Sequence, residues 1–99
     1  MIRQDIDLNG YWHIIVVYNV YLGQLNSGFT HTNFEKKLSI VGIGEVSSKE
    51  QFINTIAHEV KHLQSHICQY YNVNEDGEQA AYLMGYLVEK MYNAFKYYL

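Results

Sequence analysis

At 99 residues the chain has room for one small domain, near the size at which a hydrophobic core becomes thin and a bound metal or partner chain adds real stability. Its formal charge of −3, seven basic against ten acidic side chains with no run of either, argues against a nucleic-acid or anionic-membrane binder. No apolar stretch reaches the roughly eighteen residues that span a bilayer, the first five residues lack the apolar core of a signal peptide, and Cys68 has no second cysteine to pair with, so a cytoplasmic location is expected.

Proline is absent and no linker or repeat divides the chain, so residues 1–99 are expected to form one domain: a sheet over about 11–46, a helix over about 48–71 and a second helix over about 77–98. Tyr11 to Tyr21 is a β-branched and aromatic run that predicts a strand. Leu22 to Gly28 carries turn chemistry, Phe29 to Phe34 is a short second strand, and Lys37 to Gly44 a third, with Leu38, Ile40 and Gly42 on one face. The expected class is α+β, with a three-stranded antiparallel sheet followed by two helices.

The pattern turns helical at Ser47 and Ser48, which form potential capping boxes with Glu50 and Gln51. At about 100° per residue, Phe52, Ile56, Val60, Leu63 and Ile67 make one apolar stripe, with Ile53 at its edge. His58, His62 and His66 run beside that stripe, Glu59 falls between the two sectors, and Asn54, Lys61, Gln64 and Ser65 occupy the side assigned to water. Tyr70 to Gly77 ends this helix and offers Asn74 or Asp76 as the cap of the next. On the second helix Leu83, Leu87, Met91, Ala94 and Phe95 form the apolar face, while Glu78, Tyr82, Tyr86 and Glu89 share the opposite side.

Residues His58-Glu59-Val60-Lys61-His62 spell HExxH within the first helix, so the two imidazoles fall one turn apart. Neutral imidazoles in that arrangement can take two corners of a zinc tetrahedron, with a carboxylate and a water at the others. Glu59, which is not a ligand in such a site, is the expected general base and proton shuttle. His66 lies about 12 Å along a straight helix from His58, too far to share the ion, and is expected to be solvated or to support the ligands from outside. Cys68 occupies the third-histidine position of the extended metzincin motif, but Ser65 replaces that motif's turn glycine, so Cys68 is read as a thiol on the helix surface. Glu75, Asp76 and Glu78 are the candidate carboxylate ligands, and Glu78, at a helix N-terminus that favours an ionised acid, is chosen. His31, Tyr82 and Tyr86 are open as donors to a transition-state oxyanion, and Tyr82 is set beside Glu59 in the catalytic pair.

HExxH on one helix, followed sixteen residues after its second histidine by a glutamate opening the next, resembles the gluzincin branch of zinc metallopeptidases, whose best-known members are the thermolysin group. The small size is closer to the minigluzincins and to short HExxH proteins of phages and prophages. There a GFTH-like strand segment (Gly28-Phe29-Thr30-His31), an HExxHL helix (His58 to Leu63) and an ExxAYLxG helix (Glu78 to Gly85) recur in this order. The resemblance covers about residues 28–90. It implies a zincin-like fold, zinc held by His58, His62 and Glu78, Glu59 as base, and an upper rim formed by the strand around Leu38 to Gly44, along which an extended peptide or protein substrate would lie. The N-E-x-x-S-D helix signature of the thermolysin group is missing, Tyr82 stands at its aspartate, and the large second subdomain is absent. The expected function is zinc-dependent peptide-bond hydrolysis. The alternatives are a zinc-binding, weakly active regulatory or interaction protein, and a metal-free structural module forming a homo-oligomer through the tyrosine-rich β region. A segment such as Met1 to Gly10 could cover the cleft as a latency device.

Overall fold

In the chain's first residues Ile2, Gln4 and Ile6 alternate with Arg3, Asp5 and Asp7, and this period of two makes a strand, β1 (Ile2–Asp7), with its odd-numbered positions exposed. The structure, a computed structural model, describes residues 2–20 and 27–96. β1 is followed by β2 (His13–Val20), β3 (Gly28–Asn33), β4 (Leu38–Gly44), α1 (Lys49–Tyr71) and α2 (Glu78–Phe95). The predicted Tyr21 strand end, most of the Leu22 to Gly28 turn and the predicted helix end near residue 98 lie outside the described residues.

The class is α+β, but the sheet is not the expected three antiparallel strands. Among the described residues it has four, in the order β1-β2-β4-β3, with β1/β2 and β3/β4 antiparallel and β2/β4 parallel. The parallel register pairs Val16 of β2 with Val41 of β4 and, on the same face, Ile14 with Ser39 and Tyr18 with Ile43; Ile14, Val16, Val41 and Ile43 are all fully buried at the sheet centre. A second expectation is corrected with it. The strand Leu38 to Gly44 cannot be a rim, because it lies between two neighbours; β3 ends the sheet. Leu38, Ile40 and Gly42 do share one face, opposite Val41 and Ile43, and there the Phe29 ring lies over Gly42, where an added Cβ would stand 2.0 Å from it.

Both helices lie over the other face. Ser48 caps α1 by accepting the Gln51 N–H at 3.0 Å, while the Gln51 side chain accepts from the Ser47 N–H and hydroxyl at 2.6 and 2.9 Å. The predicted stripe Phe52, Ile56, Val60, Leu63 and Ile67 is buried throughout and meets Leu87, Met91 and Phe95 of α2 and the inner row of the sheet. Two readings of this helix fail because α2 and the β1–β2 turn cover flanks assigned to water. Gln64 is buried, its amide donating to the Ala80 carbonyl at 3.1 Å, and Cys68 is 1% exposed, so its thiol is not on the surface. Burial pushes the Cys68 thiol pKa up, aided by the charge of Glu75.

α1 stops at Asn72, which adopts the left-handed conformation (φ 56°) that closes a helix C-terminus. The expected cap of α2 is also corrected. Gly77 holds that position without a side-chain bond, because the Asn74 carboxamide oxygen is already turned to the Asp76 N–H at 3.1 Å. β1 pairs at the sheet edge remote from β3, so Ile2–Asp7 does not cover the HExxH segment. No helix among the described residues is long and apolar enough to cross a membrane.

Candidate metal centre

At 3.6 residues per turn His58 and His62, four apart, share one strip of α1, and both are exposed there, over a shallow hollow lined by Asn54, Ala57, Lys61 and the two histidines. Their ring centroids are 4.9 Å apart and the ring planes 76° to one another. Two imidazole nitrogens each about 2 Å from a single tetrahedral ion place their ring centroids about 5 Å apart, so the pair fits chelation of one zinc. A separate apolar cavity of about 440 Å³, lined by Leu8, Trp12, Ile67, Cys68 and Leu83, lies elsewhere and includes none of the HExxH residues.

Glu59, between the histidines in sequence, lies between their strip and the apolar stripe of α1 and is 4% exposed where His58 is open to solvent. Its carboxylate is divided between two tasks. Oε1 accepts from the Thr30 hydroxyl at 2.8 Å, and Oε2 stands 3.9 Å from His58 Nε2, a gap that one water can bridge. The Thr30 hydroxyl also lies 3.1 Å from the Glu59 main-chain oxygen. The Glu59 carboxylate is therefore buried on its sheet side, with one oxygen directed at the histidine side.

The strand behind Glu59 has no room to spare. A Cβ on Gly28 would stand 2.9 Å from Glu59 Cγ, 2.9 Å from the Gly42 carbonyl oxygen and 3.0 Å from Thr55 Cγ2. The Gly42 oxygen belongs to the neighbouring strand and cannot give way, so alanine must push Glu59 or the strand aside. Gly28→Ala is expected to cost about 1–3 kcal/mol by overpacking and to lower Tm by roughly 5–20 °C. A thermal melt within about 2 °C of the parent would sink this account of the glycine. Gly28 and Thr30 were not singled out as site residues from sequence. The signal was present in the Gly28-Phe29-Thr30-His31 segment, whose alternation puts its first and third residues on the helix side.

His66 is half-buried. Its Nδ1 is 2.7 Å from Thr32 Oγ1, itself 2.7 Å from Ser39 Oγ, which accepts the Trp12 indole N–H at 2.9 Å. The Trp12 indole can only donate, so Ser39 Oγ accepts from it, and the buried Ser39 hydroxyl, Thr32 and His66 continue one hydrogen-bonded row between β4, β3 and α1. Burial, then the neighbouring His62, lowers the His66 pKa, with Glu75 opposing and His31 adding to the depression. His66 is thus a half-buried link between α1 and β3, hydrogen-bonded to Thr32.

The carboxylate candidates are dispersed. Glu75 Oε1 accepts from the Ser65 hydroxyl at 2.8 Å, and its Oε2 is 4.0 Å from Lys61 Nζ. Asp76 is exposed in the connecting loop. Glu78 is the first residue of α2 and exposed, with no side-chain hydrogen bond or ion pair to another of the described residues. Among the described residues no three of His, Cys, Asp and Glu stand together as a ready-made metal site. Tyr82 is 73% exposed on α2 and makes no hydrogen bond to the HExxH residues; Tyr86 lines the apolar cavity instead. His31, alternating with Thr30 and Thr32, lies on the sheet face away from α1. Comparison with known proteins finds no matching family profile, no matching curated protein and no matching solved structure.

Proposed function

We propose that the protein is a zinc-dependent metallopeptidase of gluzincin type on a minimal zincin-like fold, with His58 and His62 as ligands, Glu78 as the third and Glu59 as the general base. The observation that carries the reading is the HExxH pair at 4.9 Å with Glu59 Oε2 directed toward His58. Zinc, when bound, would supply a Lewis acid that brings the pKa of a water down toward neutrality. Glu59 Oε2 takes a proton from water on the histidine side and returns it to the leaving amine, while Oε1 stays on Thr30. An extended peptide is proposed to lie along β3, the strand that ends the sheet next to Glu59 and whose outer N–H and C=O groups can pair with a substrate backbone. The expected setting is cytoplasmic.

Metal analysis tests this reading. Purified wild type is expected to hold one zinc per chain, and Glu78→Ala to bind it about 100-fold more weakly, since two imidazoles are an incomplete set. A wild type without stoichiometric zinc would end the metallopeptidase reading, and an unaltered affinity in the variant would remove Glu78 from the site. The dispersal of the carboxylates favours one second reading, in which zinc chiefly ties α1 to the start of α2 in a weakly active regulatory or interaction protein. A chelator that collapses the melting temperature of a protein that cleaves no peptide library would select it.

A further inference from the structure

We propose that Thr30 is a positioning residue that holds Glu59 as a base: it pins one carboxylate oxygen so that the other faces the histidine side. This inference rests on the metallopeptidase reading. A free glutamate side chain on a helix has three rotatable bonds and points its carboxylate into water. Here that freedom is removed by a single hydroxyl on a neighbouring strand. Thr30 Oγ1 lies 2.8 Å from Glu59 Oε1 and 3.1 Å from the Glu59 main-chain oxygen, so its one proton is directed at two acceptors of the same residue. That geometry ties the end of the side chain to its own backbone through β3. Gly28, two residues earlier on the same face of β3, leaves the space that Glu59 Cγ fills. The strand thereby sets both the height and the rotation of the carboxylate, and Oε2 is left toward His58 at 3.9 Å.

The assignment of the two oxygens has a chemical consequence. When Oε2 takes a proton from water, one water O–H bond breaks and one Glu59 O–H bond forms. Oε1 remains an acceptor throughout, so the Thr30 bond persists in both protonation states and nothing has to reorganise between the two proton transfers. Thr30 touches neither histidine in this arrangement, so its loss should leave the metal and strike the proton transfer.

The test uses the zinc-loaded full chain, a set of extended fluorogenic peptides and two variants, Thr30→Val and Thr30→Ser. Valine keeps the shape and removes the donor, and kcat is expected to fall about 10- to 100-fold with KM within about threefold. Zinc affinity, read by competition with a chromophoric chelator, is expected to stay within about threefold, and serine is expected to restore kcat to within about threefold. Equal kcat in Thr30→Val and wild type would overturn the assignment, as would serine failing to rescue. A parallel fall in zinc affinity would overturn it too, since Thr30 would then be supporting the fold of the site and not the base. A wild type that takes up no zinc removes the metallopeptidase reading and this inference together, whereas an active wild type matched by Thr30→Val removes the inference alone.

Discussion

With glutamine in place of Glu59, peptide cleavage is expected to fall about 10³-fold in kcat, within the range that a general base contributes. Zinc affinity should stay within about threefold, because the base is not a ligand. Glutamine is nearly isosteric, and its amide oxygen can still accept from the Thr30 hydroxyl that now binds Glu59 Oε1 at 2.8 Å. The fold around this 4% exposed side chain is thus retained, and what disappears is the basic oxygen facing His58. Steady-state kinetics on the zinc-loaded variant, with metal content measured on the same sample, decides the matter. Cleavage within tenfold of wild type would show that the activity does not pass through Glu59.

The second large effect is expected in the core. Phe52 is fully buried, 5.5 Å from the Tyr18 ring of β2 and 5.9 Å from the Phe95 ring of α2, edge to face in both cases. One side chain of α1 therefore holds the sheet and the second helix at once. Phe52→Ala is expected to cost about 3–5 kcal/mol, against a total of about 5–15 kcal/mol for a domain of this kind. In a chain of this length that corresponds to a fall in Tm of roughly 12–40 °C, measured by circular dichroism. Ile53, the next residue, is 55% exposed, and Ile53→Ala should shift stability by no more than about 0.5 kcal/mol. Similar melting curves for the two variants would contradict the assignment of the core face.

What the sequence made legible follows from which patterns are local. Ser48 with Gln51, and the stripe from Phe52 to Ile67, are set within one helix, and both stand in the structure. The same holds for the histidine strip, since i and i+4 must share a face. β1 escaped notice because Arg3, Asp5 and Asp7 make it look polar, although Ile2, Gln4 and Ile6 alternate beneath them. The parallel pairing of β2 with β4 is not written in either strand; it depends on where the β3–β4 hairpin docks. Gln64 and Cys68 were assigned to the outside because angular position on α1 does not reveal what α2 and the β1–β2 turn will cover. At the site, Glu59 was legible from the motif, whereas Thr30 acts on it across 29 residues of sequence and could be recognised only once β3 lay against α1.

The strand order carries one more consequence, for how the chain reaches its native state. β1 with β2, and β3 with β4, are each hairpins of neighbours in sequence, while the ladder joining the two hairpins is parallel and spans the residues between them. Local hairpins close fast and long-range parallel pairing is slow, so the join at the sheet centre is the step expected to wait on chain diffusion. The strand that meets the HExxH helix belongs wholly to the later hairpin, on the far side of that join. Because the α1 stripe packs on β2 as well as β4 in one core, the strand beside the HExxH helix gains its full support only when that join is made.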